Sequence, residues 1–145
     1  MSGRLVLSVA VAAVVACSVS VNNAAAQSRS LYERLGGYDS ILAVVDQTIK
    51  NIGADRRINR FFTGANIPRL RRMLADQICV ASGGPCVYAG RDMRSAHAGM
   101  GIRSSHFNAL VDDLGRALKT FKVPRREQRE LVALLAPTKK DIVER

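Results

Sequence analysis

The sequence predicts an all-α domain, and three observations lead to this fold class. Apolar side chains recur every three or four residues over long stretches, as they do on one face of a helix. No stretch shows the strict alternation of apolar and polar residues that is typical of a half-buried strand. Glycine pairs and prolines stand between the periodic stretches, where helices begin and end. At 145 residues, the chain has room for one such domain.

The first residues are typical of an export signal. Arg4 is followed by an apolar run over residues 5–16, and small alanines occupy residues 24–26. A basic start, an apolar middle and a small-residue exit define a secretory signal peptide. The sequence therefore predicts a signal peptide over residues 1–26 and a mature domain over residues 27–145, exported and located in the periplasm.

Two other interpretations of this segment stay open. The residues Val-Val-Ala-Cys that end at Cys17 are similar to a bacterial lipobox, so the signal would end before Cys17 and the protein would be a lipoprotein facing the periplasm. An uncleaved anchor is the third interpretation, although the apolar run is short for a membrane span. Attachment to a membrane is expected only if Cys17 is lipidated.

Export changes the interpretation of the two remaining cysteines. In an oxidising compartment Cys79 and Cys86 are expected to form a disulfide around a turn that contains Gly83-Gly84-Pro85. Closing such a loop contributes about 2–3 kcal/mol in the chain-entropy treatment. Two free thiols are the alternative. A zinc site is not expected, because the sequence has neither a CxxC motif nor a nearby pair of histidines.

The charge balance is strongly basic, with a formal net charge of +10 at pH 7 and arginine as the main cation. For an exported chain this composition favours an anionic surface or ligand over nucleic acid, which is not expected as a partner. A solvated basic face is the simpler interpretation for most of these residues.

The first two helices are predicted from their caps and glycines. Ser30 can cap a short helix over residues 30–35, which Gly36-Gly37 ends. Asp39 can cap the next helix, whose apolar residues recur at helical spacing from Ile41 to Ile52. Residues 53–66 are predicted to be irregular.

The remaining helices follow the same signals. A helix is predicted over residues 67–81, with Pro68 in its first turn and an apolar face that includes Val80. A long connection then leads through a short helix around residues 92–98. Ser104 or Ser105 can cap a helix whose apolar stripe runs from Phe107 to Phe121. A last helix begins at Pro124, carries Leu131, Leu134, Leu135 and Ile142, and is kinked at Pro137.

His97, one of two histidines, stands within "RDMRSAHAGMGI". Met93 lies one helical turn before it, and Gly99 and Gly101 follow it. A neutral imidazole in this setting can bind iron through one nitrogen while the other donates to a backbone carbonyl. A lone histidine is more often a packed structural residue, so that interpretation is preferred from the spacing alone.

Four segments in order carry a family resemblance. They are "LYERLGGYDSI", "RFFTGANIPRL", "GGPCVYAGRDMRSAHAGMGI" and "HFNALVDDLGRAL". Together they resemble a bacterial group I truncated haemoglobin, over residues 31–143. The resemblance implies a two-over-two truncated-globin helical sandwich that encloses haem b (iron protoporphyrin IX) and binds the diatomic gases O2, NO and CO.

The resemblance also assigns residues around the haem. It makes His97 the proximal ligand of the iron and places Phe62 against the porphyrin face. Met93, Ile102 and Phe107 match positions that line the proximal side, and simple core packing is the alternative for these three. The positions near the haem propionates, where a phenol and a guanidinium can meet carboxylates, are Tyr88 and Arg69. His106 matches a family histidine that is not the iron ligand, so a surface or capping role is preferred for it.

The distal side departs from the family pattern. Ile49 stands where group I members usually place a tyrosine, and the usual polar positions of the distal helix fall on Leu70 and Leu74. An apolar wall cannot donate a hydrogen bond to bound oxygen, which weakens oxygen binding more than CO or NO binding. Gln77 would reach this wall only if the helix rotated. Met73 matches a position that some members use for a second axial ligand, although packing is favoured here.

Three functions follow from this interpretation. The first is a haem-binding globin that binds diatomic gases at a His-ligated iron with an apolar distal pocket. The second is an electron-transfer or peroxidatic haem protein with a six-coordinate iron, in which Met73 or a water is the sixth ligand. The third is a haem-free basic helical binding module. The sequence leaves open NO- or peroxide-linked turnover and identifies no redox partner.

Overall fold

The computed structural model describes residues 29–144, and within this range the chain is all-α with no strand. This confirms the predicted fold class. The signal-peptide boundary at residue 26 and the lipidated Cys17 lie outside the described residues. Among residues 29–144, no helix combines the length and the apolar composition needed to cross a bilayer.

The elements follow one another in a simple order. The helices are α1 (Leu31–Arg34), α2 (Gly37–Ala54), α3 (Ile67–Ala81), α4 (Met93–His97), α5 (Ser104–Thr120), α6 (Arg125–Leu135) and α7 (Lys139–Ile142). Two short 3-10 turns, Asn59–Phe62 and Ala136–Thr138, lie before α3 and after α6.

The long helices form two layers. Helix α2 packs against both α3 and α5, and α6 contacts α3 and α5 from the other end of the molecule. Small side chains allow this close approach, since Ala75 of α3 and Ala117 of α5 are fully buried at the centre of the core. Val45, Leu118 and Leu131 fill the space around them. The predicted two-over-two arrangement is confirmed.

Helix α1 begins as predicted, but α2 does not. The Ser30 hydroxyl accepts a hydrogen bond from Glu33 N–H at 3.2 Å, and the Glu33 carboxylate accepts one from Ser30 N–H at 2.8 Å. The prediction of Asp39 as the cap of α2 was wrong, because the helix begins at Gly37 and Gly36 occupies the cap position. Both glycines have positive φ values, 92° and 79°, so the chain reverses within this pair and enters α2 earlier.

The bounds predicted for α3 are confirmed, and the start predicted for α5 is wrong. The side chain of Asn66 caps α3 by accepting from Arg69 N–H at 3.0 Å. In α5, Ser104 is already helical and the cap position falls on Arg103, whose N–H donates to Nδ1 of His106 at 3.1 Å. The side chain of His106, in the first turn of α5, therefore satisfies the backbone N–H of the cap residue Arg103. At the other end of the chain, the kink expected at Pro137 is confirmed by the second 3-10 turn.

Three residues predicted on apolar faces are exposed. Val80, Phe121 and Leu134 keep 45, 47 and 43 % of their surface accessible. Val80 lies in the last turn of α3, and Phe121 lies beyond the last turn of α5. Near the end of a helix the apolar face no longer has a neighbouring helix to cover it, which helical spacing alone does not reveal.

The expected disulfide is present between Cys79 and Cys86, with a Cα–Cα distance of 5.9 Å. It ties the end of α3 to the connection that leads to α4. The turn inside this loop needs a glycine, because a Cβ on Gly84 would lie 2.5 Å from Cys79 Sγ and 2.5 Å from Tyr32 Cδ2. The bridge thus fastens the start of the connection to the last turn of α3.

Candidate functional site

A cavity of about 540 Å³ opens between α3, α4 and α5, which is a size typical of small-molecule and cofactor sites. Most of its lining side chains are apolar. Ten of the site residues predicted from the sequence line it: Phe62, Arg69, Leu70, Met73, Leu74, Tyr88, Met93, His97, Ile102 and Phe107. The fold therefore brings residues from distant parts of the chain to one apolar chamber.

Hydrogen bonds orient the imidazole of His97 in this cavity. Asp92 caps α4 by accepting from Ser95 N–H at 2.9 Å and from the Ser95 hydroxyl at 2.6 Å, which lowers the pKa of Asp92. One turn later, Nδ1 of His97 lies 2.7 Å from the carbonyl oxygen of Met93. A carbonyl only accepts, so Nδ1 carries the hydrogen and Nε2 keeps its lone pair. His97 is thereby prepared to bind a metal through Nε2.

His106 also lines the cavity, and its hydrogen bond gives it the opposite tautomer. Because Arg103 N–H donates to Nδ1 of His106, that nitrogen is unprotonated and the neutral ring carries its hydrogen on Nε2. The ring lies 4.8 Å from the ring of Phe61. The two histidines are thus distinguished by chemistry, and only His97 has Nε2 available as a ligand.

The loop that follows His97 is held by the end of the described chain. The carboxylate of Glu144 accepts from Gly99 N–H at 2.5 Å and from Gly101 N–H at 2.7 Å. Arg94 of α4 also pairs with Asp141 of α7 at 2.9 Å. The histidine side of the cavity is therefore anchored by directional polar bonds at both ends of α4.

The opposite wall comes from α2 and α3, and one predicted residue is absent from it. Ile49, the residue at the position where group I members usually place a tyrosine, does not line the cavity but packs against the main core. Val45 and Thr48 line the cavity instead, because successive helical residues are rotated by about 100° around the axis. The Thr48 hydroxyl donates to the carbonyl of Val44 at 2.8 Å, so it offers the cavity no hydrogen.

Gln77 is the amide on this wall. It lines the cavity in the position that α3 already has, so the rotation expected for it is not required. Its Nε2 donates to the thioether of Met93 at 3.4 Å, a contact with a weak acceptor. This contact links the α3 wall to the residue whose carbonyl orients His97.

Two arginines and two further polar residues contribute to the lining of the cavity. They are Asn66, Arg69, Tyr88 and Arg91, and the Tyr88 hydroxyl donates to the carbonyl of Arg91 at 2.9 Å. Guanidinium groups bind carboxylates through paired charge-assisted hydrogen bonds. A flat apolar molecule with carboxylates at one edge and a metal at its centre fits this combination of apolar walls, arginines and an oriented histidine.

Sequence reasoning missed several cavity residues. Val45, Thr48, Arg91, Met100 and Leu110 all contribute to the lining. Thr48 carried a usable signal, since it is a polar residue within the apolar face of α2. Arg91 and Met100 lie in irregular backbone, where the sequence gives no indication of direction.

Comparisons with known proteins agree with this architecture. The family described as "Bacterial-like globin" matches residues 30–144. The chain is 33% identical over 117 residues to the group 1 truncated hemoglobin GlbN of Mycolicibacterium paratuberculosis, covering 81% of this chain and 86% of that one. The chain belongs to the group I truncated haemoglobins. Its cofactor is haem.

Solved structures show the same relationship. The Fe(III) truncated hemoglobin of Tetrahymena pyriformis superposes with a TM-score of 0.78 at 30% identity, covering 81% of this chain and 100% of that chain. The 2/2 hemoglobin of a Synechococcus species, in the cyanomet state with covalently attached heme, has a TM-score of 0.75 at 29% identity, with the same coverage. In this truncated haemoglobin the chamber lined by His97 is the site that suits the cofactor.

Proposed function

We propose that this truncated haemoglobin binds a diatomic gas at a haem whose iron is held by Nε2 of His97. The observation that carries the proposal is the 2.7 Å hydrogen bond from Nδ1 of His97 to the carbonyl of Met93. When bound, haem supplies the ferrous iron that takes O2, NO or CO as a ligand. Globins bind diatomic gases, and the chain supplies the matching pocket.

The two walls of the pocket have separate tasks in this proposal. Met93 fixes the tautomer and the direction of His97, and its carbonyl increases the basicity of Nε2. On the opposite wall Leu70, Met73 and Leu74 exclude water without donating hydrogen bonds. These three side chains therefore offer bound oxygen no hydrogen bond, and the Gln77 amide on the same wall donates to the thioether of Met93 instead. CO and NO depend less on such a donor.

The proposal is tested with the substitution His97→Gly in haem-loaded protein. This change removes the ligand and leaves a space, so we expect the ferrous absorption spectrum of a five-coordinate histidine-bound haem to be lost. Added imidazole should restore it, because the small molecule fills the space. The control is His106→Gln, which keeps an acceptor at the third position of α5, where glutamine also satisfies the cap. This control should retain the wild-type spectrum and its response to CO.

Each other outcome has a defined meaning. Loss of the spectrum in His106→Gln with retention in His97→Gly would contradict the assignment of the ligand. A six-coordinate ferrous spectrum that resists CO would favour the electron-transfer or peroxidatic function, with Met73 as the sixth ligand. A wild-type chain that takes up no haem would contradict the gas-binding proposal and favour the haem-free module.

We further propose that the domain acts outside the cytoplasm, in the periplasm of the cell that makes it. The Cys79–Cys86 disulfide supports this location, because such bridges persist in oxidising compartments and are rare where thiols are kept reduced. Mass spectrometry of the protein from fractionated cells tests it. We expect a chain that begins at residue 27, whereas a diacylated Cys17 would indicate the lipoprotein and an intact residue 1 in the cytoplasm would contradict export.

A further inference from the structure

The segment that spans the end of α5, the turn that follows it and the first residues of α6 concentrates positive charge. Its five cations are all exposed: Lys119, Lys122, Arg125, Arg126 and Arg129. None of them forms an ion pair with another residue in the part of the chain that the structure describes. We call residues 119–129 the basic turn.

The acidic residues beside the basic turn are already neutralised. Arg34 of α1 donates to Glu127 at 2.7 Å and to Glu130 at 2.6 Å. Both hydrogen bonds raise the pKa of Arg34, so the guanidinium stays charged and occupies both carboxylates. The five cations of the basic turn therefore form no ion pair with these carboxylates, and their exposed charge is available to an anionic partner from outside the chain.

An apolar surface adjoins these cations. Phe121 is 47% exposed at the centre of the basic turn. It borders a small open cavity of about 200 Å³ whose walls include Leu35, Leu118 and Val123. This cavity is separate from the chamber of His97. An exposed aromatic ring flanked by lysine and arginine is typical of a surface that lies at the interface of a membrane.

The backbone of the basic turn favours glycine at a position that holds lysine. Val123 N–H donates to the carbonyl of Leu118 at 3.0 Å, and Lys122 N–H donates to that of Lys119 at 2.9 Å. These two bonds define a Schellman motif, which ends most often with a left-handed glycine. Lys122 takes that place with φ 55°. Lys122 therefore adopts a left-handed backbone conformation that glycine would adopt at a lower conformational cost, and the chain keeps a positive charge there.

We propose that the basic turn docks the domain on a bilayer of anionic phospholipid, with Phe121 inserted at the level of the headgroups. Charge complementarity selects the anionic surface, and the exposed ring beside the small cavity selects a bilayer over a soluble polyanion. The basic turn contributes no residue to the lining of the His97 cavity, and the proposal does not depend on gas binding.

The test is sedimentation of haem-loaded residues 27–145 with vesicles, measured through haem absorbance. This fragment is suitable because it contains every described helix, within residues 29–144, and because 81% of this chain accounts for the whole of the solved Tetrahymena chain. The probes are vesicles of phosphatidylglycerol mixed with phosphatidylcholine and vesicles of phosphatidylcholine alone. We expect binding to the first only, and loss of binding at high salt.

Matched charge variants locate the surface. The variant Lys119→Gln/Lys122→Gln/Arg126→Gln should lower the partition constant on the order of 100-fold, because each cation near the membrane contributes about fivefold. The control Lys50→Gln/Arg56→Gln/Arg72→Gln removes the same charge from exposed positions elsewhere and should bind like the wild type. Lys122→Gly is a second variant whose thermal midpoint should be retained or raised, so its weaker binding cannot result from unfolding.

The aromatic ring separates the bilayer from other polyanions. Phe121→Ala should weaken vesicle binding severalfold, and Phe121→Trp should preserve or strengthen it. Equal losses in the two triple variants would overturn the assignment to the basic turn. Equal binding to both vesicle types, no binding to either, or charge-dependent binding that ignores Phe121 would overturn the bilayer as partner.

Discussion

The two walls of the haem chamber are held by different kinds of interaction. On the α4 side, His97 is oriented by the Met93 carbonyl, and Glu144 holds the loop beyond it, all through directional hydrogen bonds. On the α2–α3 side, Val45, Leu70 and Leu74 contribute apolar packing. Directional bonds specify one geometry for an iron ligand, whereas apolar packing accepts several side chains of similar volume. We therefore expect substitutions on the α4 side to disturb the position of His97, whereas the α2–α3 side should accept other apolar side chains of similar volume.

The largest expected effect comes from placing a donor on the apolar wall. Leu74→Gln should slow oxygen dissociation by about 10- to 100-fold, since a hydrogen bond to a charge-polarised partner contributes about 1–3 kcal/mol. Stopped-flow measurement of oxygen release checks this. CO release should change far less, because bound CO is less polar.

A conservative substitution at the same position serves as the control. Leu74→Met keeps the volume and adds no donor, so its oxygen dissociation should stay close to the wild-type rate. Equal slowing in both variants would mean that shape rather than hydrogen bonding controls release, and the contrast between the two walls would not hold for Leu74.

A smaller effect, on thermal stability, is expected from the residue that caps α4 on the His97 side of the cavity. The Ser95 hydroxyl is the main cause of the low pKa of Asp92, and Ser95 N–H adds to it. The stabilisation by this carboxylate is therefore complete above its ordinary pKa and is lost as the pH falls below about 4. Asp92→Ala should lower the thermal midpoint by a few degrees at pH 7, and the difference from wild type should narrow at pH 3.5.

The matched variant at this position is Asp92→Ser. Serine keeps a capping oxygen without a charge, so its difference from wild type at pH 7 should be smaller than that of alanine. If alanine and wild type differ equally at both pH values, the carboxylate charge has no role in holding α4.

The smallest effect is expected for Met73→Leu. The thioether lines the cavity as packing in our interpretation, so the swap preserves volume and the ferrous spectrum should be unchanged. Conversion of a six-coordinate spectrum to a five-coordinate one would instead identify Met73 as a ligand. That result would make the distal wall as directional as the proximal one.

The sequence indicates which residues form the α4 wall of the cavity more clearly than which residues form the α2–α3 wall, and the reason is physical. His97 stands in a short segment with a cap, a glycine-containing exit and a neighbouring methionine, and each of these features is local in the chain. Which residues of α2 face the cavity depends on how that helix is rotated, and Val45 and Thr48 line it whereas Ile49 does not. When the apolar face of a helix is wide, the spacing of its apolar residues does not show which of two neighbouring residues faces the cavity.

The same reason explains the remaining differences in the fold. The start of α1 at its Ser30 cap and the bounds of α3 were predicted correctly, whereas the caps expected at Asp39 and at Ser104 or Ser105 were not found. Exposure of Phe121 and Leu134 was not, because it depends on whether another helix covers the end of the face. The role of Glu144 also lay beyond reach, since its partners are 45 and 43 residues away in the chain.

That separation has a consequence for the order in which the protein matures. A ribosome, like an export channel, releases the chain with its N-terminus first. The carboxylate that closes around Gly99 and Gly101 arrives 45 residues after the loop it holds. The segment around His97 therefore emerges from the ribosome well before Glu144 does, so the N–H groups of Gly99 and Gly101 receive the carboxylate that holds them only after the rest of their loop has been made.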